Sequence, residues 1–175
     1  MKKNKSVIVF TDIKEFTLKS SLLGVKGITQ ILDKQDAIII PLVEEYNGSI
    51  IKTIGDAFMI VFGNAQDAIK CMIEVQKKFK LYNQTINDEI YKIKLKISLD
   101  EGELIQRETI KGEDFFGEAV NISSRLENIT PEEKIFITEK IFEEIKNENE
   151  FKISPLGEKE FQGILHSIKI FEVLY

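Results

Sequence analysis

The sequence predicts an α+β fold, a ferredoxin-like βαββαβ core followed by a C-terminal α/β extension. Three observations carry this expectation. Between residues 6 and 99 the apolar pattern changes period in the order strand, helix, strand, strand, helix, strand. The two middle strands flank a tight Ile54-Gly55-Asp56 turn and so form a hairpin. The chain has 175 residues, 43% hydrophobic and 30% charged, enough to bury one core, and residues 1–175 are read as one domain.

Each element has a local reason. Ser6-Val7-Ile8-Val9-Phe10 is β-branched and aromatic and reads as a buried strand, ended by Thr11-Asp12. Residues 14–23 read as a short helix or turn closed by Gly24 and Gly27. Ile28, Ile31, Leu32, Gln35, Ile38, Ile39, Leu42, Val43 and Tyr46 then recur at helical spacing, with a kink expected near Pro41. Asn47-Gly48 stops that helix. Ser49 to Thr53 and Ala57 to Phe62 are the hairpin strands. Asn64 caps a helix whose apolar stripe is Ala65, Ala68, Ile69, Met72, Ile73 and Phe79. Polar Asn83 to Glu89 reads as an exposed loop. Tyr91 to Leu99 alternates apolar residues with lysines, which predicts a strand with one wet face. The extension reads as a strand near 103–108, a helix from Gly117 to Ile129, a strand from Lys134 to Thr138, a helix near 139–147 and a hairpin-rich tail from Phe151 to Tyr175. No internal repeat or low-complexity linker is present.

Composition narrows the chemistry. The formal net charge of −5 argues against nucleic acid as the main partner, because phosphate binding needs a clustered basic surface. A single cysteine, Cys71, and a single histidine, His166, exclude Cys-cluster and paired-His metal sites. Any metal must therefore be held by oxygens, which points to Mg2+, Mn2+ or Ca2+. The opening Met1-Lys2-Lys3-Asn4-Lys5 is basic, but the apolar run Val7 to Phe10 is too short for an export signal. The longest apolar stretch, Ala37 to Val43, is far below the ~20 residues that span a bilayer. The expectation is a soluble, cytoplasmic protein with no membrane segment.

Two aspartates draw the eye. Asp12 ends the first strand and Asp56 sits in the hairpin turn. In a right-handed βαβ crossover the first and second strands run parallel, and the third inserts between them. The hairpin turn then lies at the same end of the sheet as the end of the first strand, and the two carboxylates converge. Such a pair is comfortable only when it shares a proton or a cation, and Mg2+ or Mn2+ in such a site usually also meets substrate phosphates. Taken singly, Asp12 also fits a helix N-cap and Gly55-Asp56 fits plain turn chemistry. A second cluster is Asp114-Phe115-Phe116-Gly117 followed by Asn121 and Arg125. The last two are four residues apart and share a helix face, where they can hold a sugar and a phosphate or simply meet water. Phe115 and Phe116 read as core, and Lys52 as a strand lysine of the kind that faces water.

These residues carry a family resemblance. Phe10-Thr11-Asp12-Ile13-Lys14-Glu15-Phe16-Thr17 resembles the opening motif of class III nucleotide cyclases. Lys52-Thr53-Ile54-Gly55-Asp56-Ala57-Phe58 resembles that family's second motif. The run from Asp114 to Glu127, with Asn121 and Arg125 inside it, resembles the third. The likeness extends from about Val7 to Val173. It implies the cyclase and polymerase-palm variant of the core. It also implies two divalent ions, Mg2+ or Mn2+, held by Asp12, Asp56 and the Ile13 carbonyl. Lys52 and Asp114 would read the base, Asn121 would position the ribose, and Arg125 would stabilise charge on the phosphate. An antiparallel homodimer with sites shared between chains is implied, and conversion of ATP, or less often GTP, to the cyclic monophosphate and pyrophosphate.

A lysine donor beside a carboxylate acceptor complements adenine, which offers an acceptor at N1 and a donor at N6, and mismatches guanine at both positions. The expectation is therefore an adenylate cyclase. The alternatives are a guanylate cyclase and a non-catalytic, cyclase-like nucleotide-binding domain. The sequence departs from the family in two places. Ser98-Leu99-Asp100-Glu101-Gly102 lacks the histidine of the family's Gly-x-His-x-Gly. Phe161-Gln162-Gly163-Ile164-Leu165-His166 lacks the basic residue that holds the triphosphate, with Lys159 or Lys169 as the available substitutes. Regulation, by another domain or partner outside this chain, is not written in these motifs.

Overall fold

The computed structural model describes residues 5–110 and 112–175; the basic opening Met1 to Asn4 lies outside the described residues. β1 (Lys5–Ile13) leads into α1 (Phe16–Glu45), the hairpin β2 (Ser49–Ile54) and β3 (Ala57–Phe62), α2 (Ala65–Gln84) and β4 (Leu95–Glu103). Then come β5 (Ile105–Thr109), β6 (Gly112–Phe116), α3 (Glu118–Ile129), β7 (Lys134–Thr138), α4 (Glu139–Ile145), β8 (Lys152–Lys159) and β9 (Ile168–Leu174). Among the described residues the main sheet runs in the order β2-β3-β1-β4-β7-β9-β8. β3 is antiparallel to both β1 and β2, so it lies between two strands of the same direction, as the βαββαβ pattern requires. β4 and β7 are parallel, and α3 makes the crossover that a parallel pair needs.

The continuous apolar run of β1 follows from burial on both faces. Val7 and Val9 join the cluster under α1 and α2, which includes Ile31, Ile39, Val43, Ile69 and Met72. Ile8 and Phe10 point the other way, with Met59 and Ala119 of α3. α1 presents Ile31, Gln35, Ile39 and Val43, one residue per turn, to the sheet. Its exit is tight. A Cβ on Gly48 would come within 2.5 Å of the Phe62 ring, so only glycine fits there.

Several local expectations are corrected. α1, Phe16 to Glu45, is two helical segments meeting at a kink at Gly24 (φ 62°, ψ −172°), the glycine expected to close the first segment, whereas Pro41, where the kink was expected, keeps helical backbone angles. Glycine takes that conformation without Cβ strain, whereas the proline sits in a helix held by packing on its buried face. β4 begins at Leu95, not Tyr91. Residues 89–91 form a 3-10 turn, and the Asn83 side chain both donates to and accepts from the Ile93 backbone at 2.8 Å. The lysine-bearing face of β4 is not wet. α3 lies over it, and Ser98 and Asp100 are fully buried. The strand near 103–108 is one arm of the β5–β6 hairpin, so Asp114, Phe115 and Phe116 stand on a strand. Phe115 is half-buried but Phe116 is 45% exposed, because this hairpin projects from the main sheet as its own two-stranded sheet.

Candidate active site

The site forms where β1 ends beside the β2–β3 turn. Ile54 and Ala57 pair across a two-residue loop, and Gly55 takes a φ of 65°, which a hairpin of this length demands. The loop aims Asp56 inward, where its carboxylate Oδ2 accepts from the Ile13 backbone N–H at 2.8 Å. From α1, buried Gln35 donates to the Asp56 carbonyl at 2.7 Å and fixes the turn from behind. Asp12 is not a cap: the N-cap position of α1 is Glu15, in a left-handed conformation and without a side-chain bond. The structure therefore brings Asp12, Ile13 and Asp56 together, as their convergence across the sheet predicts.

The pair puts an enclosed carboxyl beside a second acid. Asp56 is only 8% exposed. Burial pushes its carboxyl up to about 6, helped by the negative charge of Asp12 and opposed by the Ile13 N–H. Among the described residues no group of three or more His, Cys, Asp or Glu side chains is arranged to hold a metal; the oxygens on offer here are the two carboxylates and the Ile13 carbonyl. That oxygen set fits Mg2+ or Mn2+, which keep several waters and share their remaining positions with substrate phosphates.

Lys96 and Glu127 complete the cluster and were not found by sequence reasoning. Lys96 donates to Asp12 Oδ2 at 2.9 Å and also pairs with Glu127 of α3. Burial works to lower the Lys96 pKa, but its bonds to Glu127 and Asp12 outweigh that and hold it above the usual lysine value. Burial raises Glu127, with Lys96 pulling down and Asp12 pushing up. The only sequence signal for Lys96 was a lysine in an alternating strand, which without the β1–β4 register reads as a wet face.

A second group stands on β2 and β6. Lys52 is partly exposed but not merely solvated: its Nζ donates to Asp114 Oδ2 at 2.6 Å. That bond, opposed by burial and aided by the Phe115 N–H, holds the Asp114 carboxyl below the usual range. The pair borders a cleft of about 740 Å3 lined also by Ile51, Thr53, Ile54, Thr109 and Glu113.

A third group rides on α3. Ala119, Ile122, Ser123 and Leu126 face inward, so Asn121 and Arg125 share the outward side. Arg125 Nε donates to the Gln162 carbonyl in the β8–β9 connection at 2.7 Å. In the same part of the molecule Lys169 is engaged by Glu139 at 2.6 Å. Among the described residues no direct hydrogen bond or ion pair joins the three groups to one another. Cys71 is buried and its thiol is pushed up to about 12 by burial, so it offers no nucleophile.

Known proteins share the family and the fold of this chain. The profile of the adenylate and guanylate cyclase catalytic domain matches residues 1–174. A serine/threonine-protein kinase, pkn2 of Myxococcus xanthus, is 22% identical over 171 residues, covering 98% of this chain and 20% of that protein. An adenylate cyclase of Anabaena cylindrica is 27% identical over 184 residues, covering 97% of this chain and 36% of that protein. The chain thus spans well under half the length of these relatives. The guanylate cyclase domain of RhGC from Catenaria anguillulae, solved in complex with GTP, superposes with a TM-score of 0.87 at 22% identity, covering 99% of this chain and 98% of that one.

Proposed function

Because the chain belongs to the adenylate and guanylate cyclase catalytic domain family, we propose that it is an adenylate cyclase, a phosphorus–oxygen lyase that converts ATP to 3′,5′-cyclic AMP and pyrophosphate. The observation that carries ATP over GTP is the Lys52–Asp114 pair beside its cleft. Lys52 offers a donor to adenine N1 while Asp114 accepts from N6. Guanine reverses both signs and would leave a donor facing a donor and an acceptor facing an acceptor.

In the cyclisation the ribose 3′-oxygen bonds to the α-phosphorus as the bond from that phosphorus to the β-phosphate's bridging oxygen breaks. The hydroxyl proton passes to solvent and pyrophosphate leaves. The chemistry supplied by two divalent ions, Mg2+ or Mn2+, is acidification of the 3′-hydroxyl and neutralisation of the leaving oxygens, and Asp12, Asp56 and the Ile13 carbonyl would hold them. Asn121 orients the ribose. Arg125 donates where charge develops on the phosphate, in place of its present bond to Gln162. The sites lie between two copies of the chain, and the protein works in the cytoplasm. No helix among the described residues is long and apolar enough to cross a membrane.

One observation favours a non-catalytic, nucleotide-binding reading. The turn from Phe161 to His166 carries no lysine or arginine for the triphosphate, and Lys169 is already paired. Incubation of the purified chain with ATP or GTP and Mn2+ or Mg2+, followed by chromatography, decides among the readings. Cyclic AMP formed in preference to cyclic GMP, and lost on chelation and in Asp12→Ala and Asp56→Ala, is the expected result. Preference for GTP would replace the substrate, and no cyclic product from either nucleotide would leave only binding.

A further inference from the structure

Lys96 stands directly opposite Asp12 in the β1–β4 register, and its ammonium reaches Asp12 Oδ2 at 2.9 Å. The same ammonium is shared with Glu127, which α3 brings down onto this face of the sheet. The Lys96 and Glu127 side chains are only 16% and 13% exposed. Asp12, read above as a metal ligand, therefore already carries a cation, and that cation has a second carboxylate within reach. A divalent ion approaching Asp12 must compete with the ammonium already bonded to Oδ2. A lysine with no alternative partner could not leave Asp12 without stranding an enclosed charge, which is strongly unfavourable. Glu127 removes that obstacle, because Lys96 can stay paired after Asp12 is taken.

We propose that Lys96 is a built-in counter-ion that competes with divalent metal for Asp12, and that Glu127 is the resting place to which it is handed over. Both are positioning residues. The inference rests on the reading of Asp12 and Asp56 as a metal pair. It also links metal occupancy to α3, since Glu127 lies on the helix that bears Asn121 and Arg125.

Charge counting makes the idea testable apart from turnover. Asp12, Asp56 and Glu127 against Lys96 leave two negative charges, and the double variant Lys96→Met with Glu127→Gln leaves the same two. Any change in its metal affinity therefore reports the competition and not the net charge. The measurement is electron paramagnetic resonance of free Mn2+ titrated with metal-free protein, without nucleotide, with circular dichroism to confirm folding. The double variant is expected to bind Mn2+ about tenfold more tightly than the unaltered chain, the usual scale of coupling between two competing occupants. Glu127→Gln alone, which leaves Lys96 no resting place, is expected to bind about tenfold more weakly. Unchanged or weaker binding by the double variant overturns the proposal, since a merely structural pair has no reason to hold metal off. An Asp12→Asn control separates the two levels. If it binds Mn2+ like the unaltered chain, the metal reading fails and takes the proposal with it. If it abolishes binding while the Lys96 and Glu127 variants bind as the unaltered chain does, only the counter-ion role fails.

Discussion

Asp56 is an enclosed acid beside a second acid, and its carboxyl is pushed from the ordinary 3.8 up to about 6. The folded chain therefore holds a proton there that the unfolded chain has already released. Through the window from about 4 to about 6, stability falls as pH rises, and above it the metal-free fold bears the full penalty, on the order of 3 kcal/mol. Asp56→Asn removes that penalty and keeps an acceptor for the Ile13 N–H. In chelator, Asp56→Asn should melt several degrees higher than the unaltered chain at pH 8, with the gain gone by about pH 4. A gain that does not depend on pH would contradict the assignment. Lys52 and Asp114 are different in kind. Their side chains are 38% and 19% exposed, so as an ion pair they contribute at most about 1 kcal/mol to the fold. Their value lies in presenting one donor and one acceptor to a base. Lys52→Glu with Asp114→Cys should shift kcat/KM from ATP toward GTP while the melting temperature changes little. A mispaired polar edge can cost several kcal/mol of discrimination, and equal kcat/KM for both nucleotides in the unaltered chain refutes the base-reading role.

At the scale of elements, the site depends on two close approaches that hold α1 against the hairpin. One is the Gln35 bond to the Asp56 carbonyl. The other is the turn at Gly48, where an added Cβ would fall 2.5 Å from Phe62 and 2.9 Å from Val43. Phe62 is 1% exposed, so its ring cannot yield into solvent. Gly48→Ala should therefore destabilise the fold by about 1–3 kcal/mol, the usual range for overpacking, read as a lower urea midpoint with an unchanged slope. α3 is held by a buried hydroxyl pair. Ser98 Oγ donates to the Ser123 carbonyl at 2.7 Å, and Ser123 Oγ reaches the Ile8 carbonyl at 3.3 Å. These bonds tie the helix bearing Asn121 and Arg125 to the strands bearing Asp12 and Lys96.

For the whole molecule, the candidate groups lie in three separate places on one chain. Apolar side chains stay exposed nearby: Ile54 at the hairpin turn, and Ile105, Ile110 and Phe116 on the β5–β6 hairpin. In the proposed homodimer a second copy covers them, and Asp12 and Asp56 of one chain work with Lys52, Asp114, Asn121 and Arg125 of the other. A symmetric dimer built this way has two equivalent sites. Specific activity should then fall on dilution as dimers dissociate. Asp12→Ala and Arg125→Ala homodimers should each be nearly inactive. A mixed dimer puts both lesions in one site and leaves the other intact. Random mixing makes about half the dimers mixed, so roughly a quarter of normal activity should return. No recovery after proven subunit exchange would mean that the sites are not shared.

The βαββαβ order, Asn64 as the cap of α2, the β7 boundaries and the convergence of Asp12 with Asp56 were all legible in the sequence, because period, turn residues and crossover handedness are local or topological rules. The placement of Asn121 and Arg125 on one helix face followed from spacing alone. Register and coverage were not legible. Lys96 looked like a solvated lysine until pairing set it opposite Asp12 and α3 closed over it. The β5–β6 hairpin looked like one strand and a motif, because its turn glycine is followed by the acidic Glu113-Asp114 and only tertiary pairing shows the second arm. A strand's side chains alternate whatever lies above them. Which face is dry, and which charges meet on it, is decided by the element that packs there.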